Sequence, residues 1–143
     1  MKRFLLAFLI APLIHAEIVN LDCKYSFTFN VDENKSSPTS GGISISINTE
    51  DKTAKAKGGW IGYSEYGNEV RWMAVYGFDF GDDIVLADRY RLDRVSGELE
   101  QDFMYIRFPE GIGIEDTFTL RDEEKYNLGL VHSASCKKVK GIF

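Results

Sequence analysis

Histidine, cysteine and proline are scarce in this 143-residue chain, which holds two His, two Cys and three Pro. One of the imidazoles, His15, lies in the N-terminal apolar stretch, so His132 is the single histidine beyond it. That shortage excludes a His-rich zinc site and the HExxH arrangement, which need several imidazoles around one ion. A Ser-His-Asp triad would depend on His132 alone, and the G-x-S-x-G elbow that exposes a serine nucleophile is missing. Basic residues are also in deficit: 17 Lys and Arg stand against 22 Asp and Glu, a net charge of −5. Loss of Lys2 and Arg3 with a cleaved leader makes that balance more negative still. Non-specific attraction to phosphate is excluded at such a charge, so no nucleic-acid partner is expected.

Long apolar runs are absent beyond residue 16. Nothing there approaches the roughly 18 apolar residues of a spanning helix, so no membrane insertion is expected after removal of the leader. The leader itself begins with basic Met1-Lys2-Arg3, continues through the apolar run Phe4 to Ile14, and ends at Ile14-His15-Ala16 before Glu17. This is the layout of a secretory signal. At about 1.5 Å per residue the run covers only half of a roughly 30 Å hydrocarbon core, too little for an anchor. The expected organisation is a signal peptide over 1–16 and a single β-domain over 17–143, periplasmic or secreted.

What is present is ordinary globular composition, 44% hydrophobic and 27% charged, arranged with period two. From Leu21 to Val31, Cys23, Tyr25, Phe27, Phe29 and Val31 alternate with polar residues, which predicts a half-buried strand. Asp32 to Gly42 reads as a polar loop. Ile43, Ile45 and Ile47 mark a second strand, and Thr53 to Tyr63 a third in which Gly58-Gly59 permits a bulge. Val70, Trp72, Ala74 and Tyr76 follow a turn at Tyr66 to Glu69. Further strands run over Ile84 to Arg94, Leu99 to Phe108, Thr117 to Leu120 and Leu128 to Val139. Gly97 supplies a positive φ between the first two of these. Arg121 to Tyr126 is the one stretch of helical character. The fold class is therefore all-β: a single antiparallel β-barrel or sandwich of about eight short strands.

Cys23 and Cys136 fall in the first and last strands. In a short exported chain they favour one disulfide over two free thiols, and the bond would set the terminal strands side by side.

Aromatic residues concentrate in one stretch: Trp60, Tyr63, Tyr66, Trp72, Tyr76, Phe78 and Phe80. Rings with polar tips suit sugar stacking or a protein hot spot, and equally the cross-strand pairs of a β-core. Trp72 and Tyr76 share a phase with Val70 and Ala74, which points inward. Trp60, Tyr63 and Tyr66 lie near a turn and are the candidate binding residues. No catalytic residue is assigned. Asp79, Asp82, Asp83 and Asp88 lack the EF-hand spacing, and no metal or cofactor is expected.

Tyr90-Arg91-Leu92-Asp93-Arg94-Val95-Ser96-Gly97-Glu98-Leu99, with Ser135-Cys136-Lys137-Lys138-Val139, resembles uncharacterised small secreted bacterial β-rich proteins. These carry an early cysteine, an LNRVTGEL-like hairpin and a C-terminal Cys-Lys-Lys. The resemblance implies export from a bacterium and a β-rich fold, and brings no activity with it. In the hairpin, Leu92 and Leu99 flank the turn, and Arg94 is placed to pair with Glu98. Ser133-Ala134-Ser135 is similar to the serine-containing loop of two-cysteine periplasmic lysozyme inhibitors.

The function expected from these features is non-enzymatic binding of a protein or glycan ligand of the cell envelope, inhibitor-like in character. The alternative is a small glycan hydrolase using two carboxylates about 5–9.5 Å apart. A purely structural envelope protein is a third possibility.

Overall fold

Alternating side chains call for hydrogen-bonded neighbours and a core on one face, and the described residues supply ten strands for this. The computed structural model describes residues 17–79, 84–107 and 126–139. The strands are β1 (Ile18–Asn30), β2 (Lys35–Pro38), β3 (Gly42–Asn48), β4 (Thr53–Lys55) and β5 (Ile61–Gly62), then β6 (Ser64–Tyr66), β7 (Glu69–Asp79), β8 (Ile84–Asp93), β9 (Glu98–Arg107) and β10 (Tyr126–Lys138). They form one antiparallel sheet in the order β5-β4-β3-β1-β10-β9-β8-β7-β6, with β2 paired to β1 beside β3. β5 returns against β7, so the sheet curls into a nearly closed barrel. The expected signal segment, the Phe80–Asp83 turn, the Thr117–Leu120 strand and most of the Arg121–Tyr126 stretch lie outside the described residues.

Cys23 and Cys136 face each other across β1 and β10, with Cα atoms 3.9 Å apart, and are joined by a disulfide. First and last described strands are thereby locked together over a sequence separation of 113 residues. On the chain-entropy model such a loop closure contributes up to about 4–5 kcal/mol.

Directly opposed residues in an antiparallel ladder share a face, so the register maps the interior in rows. The first row is Tyr25, Ala134, Leu99, Leu92 and Val70. With Ile43, Ile45, Ile47 and Ala54 from the neighbouring strands it makes an apolar plug. The second row runs Thr28, His132, Gln101, Tyr90 and Trp72; the third, Asn30, Leu130, Phe103, Asp88 and Ala74. Trp72 stacks on Tyr90 with ring centroids 5.0 Å apart and an interplanar angle of 11°, an arrangement worth about 0.5–1.5 kcal/mol beyond area burial.

Three features depart from the expected pattern. A bulge between Tyr25 and Phe27 in β1 breaks the uniform alternation. The extra residue reverses the phase, sending Thr28 inward against His132 and leaving Phe27 45% exposed. The Asp32–Gly42 loop contains the short strand β2, because the chain folds back on the lower half of β1. Thr53 to Tyr63 is divided into β4 and β5 by a bend over residues 56–59, where Gly58 takes φ +82.

Leu92 and Leu99 flank the β8–β9 turn as a buried pair. Arg94 turns away from Glu98: its guanidinium pairs with Glu65 at 3.0 Å and donates to Gly67 O at 2.8 Å. The antiparallel pairing of β7 and β8 brings the end of β8 beside the β6–β7 turn, and this decides the partner.

Asp102 and Met104 face away from the barrel interior on β9, yet both have no exposed area. Arg89 donates to Asp102 Oδ2 through Nε at 2.8 Å and Nη2 at 2.6 Å, and Arg91 Nη2 lies 3.4 Å from the same oxygen. Asp102 is thus a buried anion shared by two arginines.

Candidate functional site

The apolar plug fills one part of the barrel, and the second and third rows line what it leaves open. A cavity of 550 Å³ lies there, within the range of small-molecule sites. Its apolar wall comes from Ile61, Ala74, Val75, Phe103 and Leu130, and its polar groups are Asp88, Tyr90, Gln101 and His132. Lys57, Gly58 and Gly59, from the bend between β4 and β5, complete the lining.

Three of these polar groups are joined by hydrogen bonds, and His132 is held separately. Gln101 Nε2 donates to Asp88 Oδ2 at 3.2 Å, and the Tyr90 hydroxyl donates to the same oxygen at 3.4 Å. The Tyr25 hydroxyl donates to Gln101 Oε1 at 2.6 Å. His132 Nδ1 shares a hydrogen bond of 2.6 Å with Thr28 Oγ1, which also bonds the Thr39 hydroxyl. The Tyr25 ring leans against His132 with centroids 5.4 Å apart.

Burial governs the ionisation of this group. Asp88, only 9% exposed, has its carboxyl pushed above the ordinary carboxylate value by desolvation. The Gln101 amide, the Lys57 charge, the Tyr90 hydroxyl and His132 pull it partly back. His132 is held below its ordinary value by burial and by Lys57, against the opposing pull of Asp88. Tyr25 is raised by burial and by the nearby Asp88 charge. Asp88 Oδ2 takes both donors, so Oδ1 receives none from the described residues.

Of the three residues singled out from the sequence, Trp60 is 45% exposed and sits between the cavity-lining Gly59 and Ile61. Tyr63 packs against the core cluster. Tyr66 is 42% exposed, with the Arg71 guanidinium 4.5 Å from its ring centroid. Among the described residues no ring contact joins the three. Trp72 lies in the core as its phase implies; the Tyr76 side chain falls outside the described residues.

Asp88, Gln101, Tyr25 and His132 were not singled out as a set by the sequence. A signal for two of them exists: Asp88 shares the inward phase of Tyr90 and Leu92, and Gln101 that of Leu99 and Phe103. A polar residue in an apolar phase marks a buried group that requires partners. Cross-strand registers that unite them, shifted by bulges in β1, β7 and β10, carry no such local mark.

Asp88 is the one carboxylate lining the cavity among the described residues. Asp102 follows Gln101 in β9 and therefore faces the opposite side. Among the described residues no cluster of three or more His, Cys, Asp or Glu could hold a metal ion. Ser133-Ala134-Ser135 is held in mid-sheet between β1 and β9. The fold and site together define an antiparallel β-barrel with an internal, partly polar cavity. No family model, no curated protein and no solved structure matches the chain.

Proposed function

We propose that the protein is an exported, non-enzymatic binding domain of a bacterial cell envelope, and that recognition uses the barrel cavity. The observation that carries this reading is the pair of interior rows in which polar groups converge on an apolar-walled space. A cavity with a few fixed polar groups orients a ligand, whereas chemistry on a glycan would call for a second carboxylate at the cavity. Among the described residues Asp88 stands there alone, which favours binding over hydrolysis. The Cys23–Cys136 disulfide is compatible with an oxidising compartment. Trp60, beside the rim, offers a contact for the part of an envelope ligand left outside the barrel.

Ala74 faces Asp88 across β7 and β8, so Ala74→Phe would fill the cavity from its wall. The test is the unfolding midpoint of the mature domain with fractionated envelope extract. A small-molecule or glycan fraction should raise the midpoint of the parent protein and leave that of Ala74→Phe unchanged. Equal shifts in both proteins would overturn the cavity as the binding site. Turnover of a glycan panel, abolished by Asp88→Asn, would replace binding by hydrolysis.

A further inference from the structure

Within the cavity, Asp88 is only 9% exposed, and its Oδ1 takes no hydrogen bond from the described residues while keeping some open surface. Both groups that do bond it, the Gln101 amide and the Tyr90 hydroxyl, are neutral. No described lysine or arginine forms an ion pair with it. The Lys57 charge acts on it electrostatically, yet that residue is exposed on the bend between β4 and β5. A largely buried carboxylate bonded only by neutral donors has no opposite charge beside it, and a cationic donor at the open Oδ1 supplies a hydrogen bond and that charge together. Phe103, Leu130, Ile61, Ala74 and Val75 give the cavity an apolar wall.

We infer that the cavity binds a small molecule bearing a protonated amine on an apolar body, with Asp88 Oδ1 as the acceptor for the ammonium. The inference rests on the cavity being the binding site, and it adds the ligand's chemical class. The negative net charge of the whole chain draws cations toward the protein. His132, held neutral by its burial, adds no competing positive charge at neutral pH. Lys57, at the lining, disfavours a ligand with more than one cationic centre, because a second ammonium would meet it.

The experiment compares three probes with one apolar body: phenylbutylamine, phenylbutanol and phenylbutyrate, each titrated calorimetrically at neutral pH. The amine should bind at least about tenfold more tightly than the alcohol, a difference near 1.4 kcal/mol. Asp88→Asn, which keeps the shape and an acceptor for Gln101, should abolish that preference. Lys57→Gln should strengthen amine binding. Equal binding of amine and alcohol, unchanged in Asp88→Asn, would overturn the amine inference while leaving the cavity as the site. Preference for phenylbutyrate, lost in Lys57→Gln, would overturn it in favour of an anion. Should Ala74→Phe retain the full affinity for whichever probe binds, the cavity reading itself falls. With no binding by any of the three, both are overturned.

Discussion

Asp88 and His132 lie in adjoining rows of the same interior and titrate with opposite consequences for stability. His132 has a folded-state value below its ordinary 6.5, so the unfolded chain binds the proton more readily. Its neutral form supports the fold above that ordinary value, and the support is lost as pH falls through the lowered value. Asp88 has a folded-state value above 3.8, so its charged form costs stability at neutral pH. That cost is relieved as pH falls through the raised value. Denaturant unfolding across pH should therefore separate the two. His132→Asn flattens the decline that begins just below pH 6.5, whereas Asp88→Asn raises stability at neutral pH and removes the relief at lower pH. Identical pH slopes for His132→Asn and the parent protein would contradict the assignment of that decline to His132.

Between strands, the β8–β9 hairpin shows how a turn is fixed by its surroundings as well as by its own chemistry. Gly97 has φ +75, and a Cβ placed there would lie 2.7 Å from the Cys136 carbonyl oxygen. The carbonyl oxygen of Gly97 accepts the Cys136 amide at 2.8 Å, tying the hairpin to β10. Gly97→Ala should thus lower stability by more than about 1 kcal/mol, measured by equilibrium unfolding; an unchanged midpoint would remove the steric argument. A positive φ at Gly97 was legible in the sequence, because Ser-Gly between two apolar-phased strands is a turn signal. So was the pairing of Leu92 with Leu99. The approach of Cys136 was not, since it depends on β10 arriving beside β9. The β1 bulge was hidden for a similar reason: Phe27 and Phe29 keep perfect alternation, and only the pairing of Thr28 with His132 reveals the reversed phase. Sequence proximity offers Glu98 to Arg94, but the neighbouring turn offers a carboxylate and a carbonyl together and takes the guanidinium.

Across the whole molecule, the all-β class and the link between terminal strands follow from two local signals, period two and a lone pair of cysteines. The candidate site does not, because it is assembled from β1, β10, β9, β8 and β7, whose registers are set by pairing between strands, and from the β4–β5 bend, which curling of the sheet brings to them. The disulfide staples β1 to β10 in the middle of that sheet. Reduction should lower the unfolding midpoint clearly, as even half of the roughly 4–5 kcal/mol model contribution is a large share of a typical 5–15 kcal/mol stability. Cys23→Ala should produce a similar loss, and adding Cys136→Ala little more, because the bond is lost once. An unchanged midpoint after confirmed reduction would refute this.

Occupancy of the barrel by an ammonium beside Asp88 can be read from the carboxyl carbon of that residue. Its ¹³C resonance, followed against pH by nuclear magnetic resonance in the free protein, should titrate above the ordinary carboxylate value of 3.8. With saturating phenylbutylamine the midpoint should fall, because the cation stabilises the charged form. A free-protein midpoint at the ordinary value, unmoved by the amine, would contradict both the buried, under-compensated carboxylate and its role as the anchor.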